Sequence, residues 1–468
     1  MCDRSQGRLK RQVRDIRNQQ TAAGAMPFAD ILKPGRVQQA INEHGPHLRS
    51  CTFSGSVTFY AFLAQAMSPD PSCRQATAML LAWQGIRGKE NPSIDTGPYC
   101  KARARLPEAL PANLAKEVAR NLSRQYGKGK LLQGRPIKIV DGSTCSMPDT
   151  PQNQAEYPQA HTQKPGVGFP VMRFVLVLCL GCGVALNAAM GPYMGKRTGE
   201  TALLRKLEDD FDEGDILLGD RYFCSYWQIA GMLRRRVDCV FRMHQLRRID
   251  FRKGQRLGHW DHVVVWKKPK QSPEWMDQKQ YDAMPAELRI REVKRRLAVK
   301  GFRIRQLVLA TTLLDADLYP AEELAEAFRA RWHAEVDLRS IKVAMNLDVL
   351  RCKTPAMVRK EFWMRLLAYN LVRAVTAQAA ERRGRPPRQI SFTAGARLLR
   401  SFAPMMALLP EDLVAEMHEV LLKALGTQVV GNRPDRYEPR AVKRRPKPHA
   451  LLNEPRAKAR RRMERTAK

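Results

Sequence analysis

Phe328-Arg-Ala-Arg-Trp-His-Ala-Glu335-Val-Asp-Leu-Arg-Ser-Ile-Lys342 is the stretch on which the reading of this 468-residue chain turns. It follows Tyr319-Pro320-Ala-Glu-Glu-Leu, where Pro320 suits a first helical turn and Glu322 and Glu323 complement a helix N-terminus. No Gly or Pro interrupts Ala321 to Leu350, which predicts one long helix. At about 100° per residue, Phe328, Arg331, Glu335 and Lys342 project within an arc of roughly 60°. Arg339 falls on the same face. A single carboxylate is therefore set in a cationic stripe, with Trp332 at its border. Alone, the stretch would read as a solvated helix face with ordinary i,i+4 pairs, Arg331–Glu335 and Glu335–Arg339.

Upstream, the character of the chain changes at Arg135-Pro136. Ile137-Lys-Ile-Val-Asp141-Gly-Ser-Thr alternates and then ends in Asp and Gly, as a strand running into a loop does. Residues 169–180 and 184–190 read as two further strands, and Gly199-Glu-Thr-Ala-Leu-Leu starts a helix. Asp215-Ile-Leu-Leu-Gly-Asp220 is a short buried strand ending in Asp220. A helix over 226–236, a fifth strand over 238–243 and a core strand over 304–314 complete the run. Three strands, helix, strand, helix, strand is the order of a ribonuclease-H-like α/β core. Asp141 and Asp220 each close a strand, and such ends line up along one sheet edge. Glu335 would reach that edge from its helix. Three such carboxylates offer hard oxygen ligands to Mg²⁺ and leave positions open for phosphate and water. Two ions about 3.5–4 Å apart would activate a water or 3′-hydroxyl and stabilise the leaving oxygen.

The aromatic-x2-Arg-x3-Glu-x6-Lys spacing resembles the Tyr-x2-Arg-x3-Glu-x6-Lys signature of bacterial insertion-sequence DDE transposases, family four. Asp141-Gly-Ser-Thr with Met147-Pro-Asp-Thr-Pro-Gln-Asn and Tyr157-Pro is similar to the block around that family's first Asp. Gly219-Asp220-Arg-Tyr-Phe223 is similar to the block around its second. The resemblance covers about residues 50–375. It implies a DNA transposase that binds terminal inverted repeats and catalyses Mg²⁺-dependent cleavage and strand transfer. Asp141, Asp220 and Glu335 would be its catalytic metal ligands, with two Mg²⁺ ions, or Mn²⁺ in their place. Phe328, Arg331, Trp332, Arg339 and Lys342 would contact DNA. Phe328 stands where the family has Tyr and has no hydroxyl to donate to phosphate. The partners implied are double-stranded DNA, as transposon ends and target, and a second copy in a synaptic homodimer. The alternatives are a metal-dependent nuclease on the same core and a catalytically silent DNA-binding protein.

Composition agrees with a polyanionic partner. Lys+Arg 81 against Asp+Glu 46 gives a formal charge of +35, and 44% hydrophobic residues indicate a globular chain. Residues 1–17 are polar and basic without an apolar core, so no signal peptide or membrane role is expected, and the implied location is the bacterial cytoplasm, at the nucleoid. Six regions are expected: a helical N-terminal domain over 1–128, able to bind DNA or simply to pack on the core, and the first part of the core over 129–244. A β-rich basic insertion follows over 245–302, then the second part of the core with the catalytic helix over 303–375. Helices over 376–432 and a disordered basic tail over 433–468 complete the chain. The insertion carries 15 Lys/Arg against seven Asp/Glu, with Trp260, Trp266 and Trp275 interleaved, a composition able to grip phosphate and stack on bases. Cys179-Leu-Gly-Cys182 reads as a pair of core thiols, His259-x2-His262 as surface, and Asp149 as a weaker substitute for Asp141.

Overall fold

The computed structural model describes residues 26–44, 53–86, 93–296, 306–431 and 452–466. It is a mixed α/β structure built on a nine-stranded sheet of order β3-β2-β1-β4-β5-β9-β8-β7-β6. The strands are β1 (Ile137–Ser146), β2 (Val171–Cys179), β3 (Ala185–Pro192), β4 (Ile216–Gly219), β5 (Asp238–Arg242), β6 (Gln255–Gly258), β7 (Asp261–Lys267), β8 (Glu287–Arg296) and β9 (Gln306–Thr311). β1, β2 and β3 form an antiparallel meander, while β4 and β5 add in parallel on the other side of β1. The helix Tyr226–Arg234 supplies the crossover that the parallel β4–β5 pair requires.

Asp141 does not end its strand. β1 continues to Ser146, paired with β2 throughout, whereas its pairing with β4 stops at Ile139↔Leu218. The second half of β1 therefore has a neighbour on one side only and is half-exposed, which explains why Asp-Gly-Ser-Thr resembles a loop in sequence. Past Ser146 the strand is held by residues 348–350: Ser146 N–H donates to the Asp348 carbonyl at 3.0 Å, and Leu350 N–H to the Ser146 carbonyl at 2.8 Å.

The strands of the basic insertion extend the core sheet, each pairing antiparallel outward from β9. Fully buried Arg291 on β8 fastens them, donating to Asp261 at 2.9 and 2.6 Å and to the Tyr319 carbonyl at 2.7 Å. That last bond ties the insertion to the loop that launches the Glu335 region. His262 is buried rather than on the surface, its ring nitrogens facing the Lys253 carbonyl at 2.7 Å and Glu292 at 3.0 Å. Trp266 is core as well and donates to Glu292 at 3.0 Å, so it offers no face to a base. Trp260 and Trp275 are half-buried under Lys294 and Arg205, 4.7 and 3.9 Å from the ring centres.

The single long helix over Ala321 to Leu350 is also corrected. It is Ala321–Ala330, a tightened turn at Arg331, then Trp332–Arg339, then a π turn over Ser340–Ala344. At Arg331 the bonds close three residues apart, Arg331 N–H to Phe328 O and Ala334 N–H to Arg331 O. At Ser340 the hydroxyl donates back to the Val336 carbonyl at 3.0 Å, a competition that bends helices. Asn346, at φ 54°, ends the run in the left-handed conformation that Asn tolerates.

The helix Pro355–Glu381 is buried on nearly every side. The N-terminal helix Ala109–Tyr126 packs along it, and Asn370 joins the two to β3: it accepts from Ala185 N–H at 2.9 Å and donates to the carbonyls of Ala115 and Ala185. The helices Pro34–His44, Gly55–Met67, Cys73–Ile86 and Gly97–Arg105 complete the described helices of residues 1–128, and the first two share one continuous hydrophobic core with the sheet. Phe392–Met406 and Glu411–Gly426 follow the buried helix. Of the expected disordered tail, 433–451 and 467–468 lie outside the described residues. Arg456–Thr466 is a helix with no buried residue, so disorder does not hold there. The eight described cysteines are free thiols, with Cys179 and Cys182 buried as expected.

Candidate active site

Register places the two aspartates. Ile139 and Leu218 are lateral neighbours on parallel strands, and Asp141 and Asp220 each lie two residues further on. With a side-chain period of 2, both stand level, at the point where β1 loses its β4 neighbour. Tyr222 N–H donates to Asp220 Oδ1 at 2.7 Å, fixing the turn after β4. Gly142 N–H donates to Asp141 Oδ1 at 2.9 Å.

Arg331 brings in the third carboxylate. Its Nη1 lies 3.3 Å from Asp141 Oδ2 and its Nη2 3.4 Å from Glu335 Oε1. One guanidinium thus bridges Asp141 and Glu335, and itself lies 190 positions from Asp141 in sequence. Burial pushes the Asp141 carboxyl above its ordinary pKa. Arg331 and the Gly142 N–H pull it down, while Asp220 and Glu335 push it up further. Arg242, at the end of β5, is a second cation here: burial, then Arg221 and Arg331, lower its pKa, against Asp220. Neither Arg242 nor the half-buried Glu200, beside Gly142, carries a motif that marks it in sequence.

The shift at Asp141 has a measurable consequence. A carboxyl with a raised native pKa binds its proton more tightly folded than unfolded, so stability falls as pH rises from the ordinary carboxylate range through the native value. Without divalent ions at neutral pH, Asp141→Asn should therefore melt at or above the wild-type temperature. A clear drop would mean that pairing with Arg331 outweighs burial.

The stripe residues do not share one environment. Phe328 does not face outward as expected: it is 8% exposed, within the core, with the Arg331 guanidinium 5.8 Å from its ring centre. The ring supports Arg331 from beneath, a cation–π geometry. Phe328→Leu should accordingly cost about 1–3 kcal/mol of stability and lower cleavage more than DNA binding. A melt indistinguishable from wild type would remove the ring from the core. Trp332 is 51% exposed, and Arg339 is exposed. Lys342 pairs with Asp348 at 2.8 Å. Asp149 is exposed, bonded to Gln154 at 2.8 Å and unconnected with the three carboxylates.

Among the described residues no three His, Cys, Asp or Glu side chains stand close enough to hold one metal ion as placed. The Arg331 guanidinium stands between Asp141 and Glu335. The donor set nevertheless suits a hard divalent cation. It consists of carboxylates, Asp141 and Asp220 level on neighbouring strands and Glu335 joined to Asp141 through Arg331.

A family model described as "Transposase DDE domain" matches residues 132–371, a span that includes Asp141, Asp220 and Glu335. The transposase InsG for insertion sequence element IS4, from Escherichia coli (strain K12), is 29% identical over 324 residues, covering 67% of this chain and 69% of that protein. The transposase for insertion sequence element IS421, from Escherichia coli, is 37% identical over 65 residues, 14% of this chain and 18% of that one. Among solved structures, a chain of the piggyBac transposase synaptic complex with hairpin DNA aligns with a TM-score of 0.40 at 11% identity, over 88% of this chain and 87% of that chain. That likeness is too loose to carry an argument.

Proposed function

This chain belongs to the DDE transposase family, and from that premise we propose how its own residues divide the work of DNA transposition. The activity is metal-dependent phosphoryl transfer on DNA. Asp141, Asp220 and Glu335 are the residues that hold the divalent ions, with Mg²⁺ as the working metal. When bound, such ions activate the attacking oxygen and stabilise the leaving one. The observation that carries this assignment is the level placement of Asp141 and Asp220 on neighbouring parallel strands, with Glu335 tied to Asp141 through Arg331.

Arg331 orients both carboxylates and keeps their mutual repulsion in check until cations arrive. Trp332 and Arg339 meet the DNA ends from the exposed side of the same helical run. Lys342 exchanges Asp348 for a backbone phosphate. The order β3-β2-β1-β4-β5, with β4 and β5 parallel to β1, supports a ribonuclease-H-like core. The protein recognises terminal inverted repeats, and two copies synapse a pair of ends. No helix among the described residues is long and apolar enough to cross a membrane, and we place the reaction at nucleoid DNA in the bacterial cytoplasm.

The test is direct. Purified full-length protein with Mg²⁺ and DNA carrying the element's terminal repeats should release cleaved ends and join them to target DNA. Cleavage without joining would make the chain a nuclease on the same core. End binding with neither reaction would leave a DNA-binding protein.

A further inference from the structure

Gly142 lies in the middle of β1, where glycine weakens a strand because it adds backbone entropy and packs nothing. Its conformation does not demand glycine, since it is absent from the positive-φ positions of the chain. The need is spatial. A Cβ built on Gly142 would lie 2.5 Å from Oε1 and 2.8 Å from Cγ of Glu200. The space where a side chain would stand, one residue along β1 from Asp141, holds the Glu200 carboxylate.

Glu200 is carried there by a fixed support. It opens the helix Glu200–Arg205, whose Leu203 and Leu204 are fully buried against β2 and β3. On the far side, the Tyr222 hydroxyl, two residues past Asp220, lies 3.9 Å from where a Cβ on Gly199 would be. The helix start is thus wedged between the two aspartate segments. The half-buried carboxylate has no hydrogen bond or ion pair among the described residues. Among the described residues its electrostatic neighbours are Asp141 and Asp220, with Arg173 the cation that acts on it. Arg173 is itself engaged, donating to the Thr198 carbonyl at 2.9 Å and lying 4.7 Å from the centre of the Tyr193 ring. A glutamate that merely favoured the start of a helix could point into solvent and would require no glycine across the sheet edge.

We propose that Glu200 supplies a fourth carboxylate to the divalent-cation site, and that Gly142 is the residue whose missing side chain admits it. The inference rests on the assignment of Asp141 and Asp220 as metal-holding residues. It deepens that assignment: the site takes carboxylates from the middle of β1, the end of β4, the Glu335 helix and the helix after β3.

The experiment is a Mn²⁺ titration of the full-length protein without DNA, read by electron paramagnetic resonance, alongside the Mg²⁺-dependent rise in melting temperature. Glu200→Gln should weaken Mn²⁺ binding about 10–100-fold, the range for losing a group that supports a metal site. The Mg²⁺ concentration for half-maximal cleavage should rise with it, while metal-free binding to terminal-repeat DNA stays at wild-type level. Glu200→Asp should recover part of the affinity. Gly142→Ala keeps every carboxylate yet should weaken Mn²⁺ binding as Glu200→Gln does, because its methyl group takes the carboxylate's place. Wild-type Mn²⁺ affinity in Glu200→Gln, with Asp141→Asn and Asp220→Asn impaired, overturns the role of Glu200 and leaves the other assignments standing. Wild-type affinity in Asp141→Asn and Asp220→Asn as well overturns the site from which the inference starts.

Discussion

Asp220→Asn is expected to lower strand cleavage on the order of a thousandfold or more while binding of the terminal-repeat DNA stays near wild type. That factor is of the scale seen when a preorganised electrostatic contact is removed from an active site. The substitution leaves shape and hydrogen-bonding capacity almost unchanged: an Asn oxygen can still accept from Tyr222 N–H, as Asp220 does at 2.7 Å. What it removes is one negative charge at the level of Asp141. Asp141→Asn and Glu335→Gln should behave alike, the first still accepting from Gly142 N–H. Single-turnover cleavage on a pre-nicked end, compared with gel-shift binding of the same DNA, separates chemistry from recognition. Cleavage within a few fold of wild type in any one variant removes that residue from the site. Loss of binding parallel to loss of cleavage would show that the three carboxylates organise the DNA surface instead of the reaction.

The strands were legible because burial writes a pattern: Ile137-Lys-Ile-Val and Asp215-Ile-Leu-Leu-Gly lie where alternation or a short apolar run places them. What local pattern cannot show is which neighbour a strand keeps. Asp141 reads as a terminus because the half of β1 beyond it lacks β4, yet β2 accompanies it to Ser146. The insertion is a second case. Arg291, Asp261, His262 and Glu292 are charged or polar residues on strands and read as solvated, but they are buried because they satisfy one another across β7 and β8. The break in the long helix was hidden for a third reason, since Ser340 and Arg331 have no helix-breaking reputation. In the structure the Ser340 hydroxyl bonds back to the Val336 carbonyl, and Arg331 reaches Asp141, far away in sequence, as well as Glu335 four residues on. The candidate carboxylates are marked in sequence by spacing and strand position, whereas Arg242 and Glu200, which act electrostatically on or with Asp220, carry no such mark.

Asp337 is the anchor of the Glu335 helix, and Asp337→Ala should be among the most destabilising single changes in the chain. Its side chain is 0% exposed and points away from the site, two residues beyond Glu335. It accepts from Arg373 on the buried helix Pro355–Glu381 and from Arg388 at 3.1 and 2.9 Å. Arg388 is further bonded to the Cys179 carbonyl at 2.9 Å, so the β2–β3 turn joins the same knot. Deleting the carboxylate leaves Arg373 fully buried and Arg388 partly buried without their counter-charge, a loss of about 3–5 kcal/mol for a broken buried pair. Against a typical total stability of about 5–15 kcal/mol, that is a large fraction. Thermal unfolding should begin several degrees earlier, and cleavage should fall as Glu335 loses its fixed approach to Asp141. Asp337→Asn keeps two acceptor lone pairs and should fall between wild type and Ala. Glu335→Gln provides the contrast, losing cleavage with little change in melting. If Asp337→Ala melts with wild type, the double arginine pair does not hold the helix. The position of Glu335 would then depend on the apolar contacts of Ala334 and Leu338, and Ala334→Gly or Leu338→Ala would become the substitutions that disable the site from beneath.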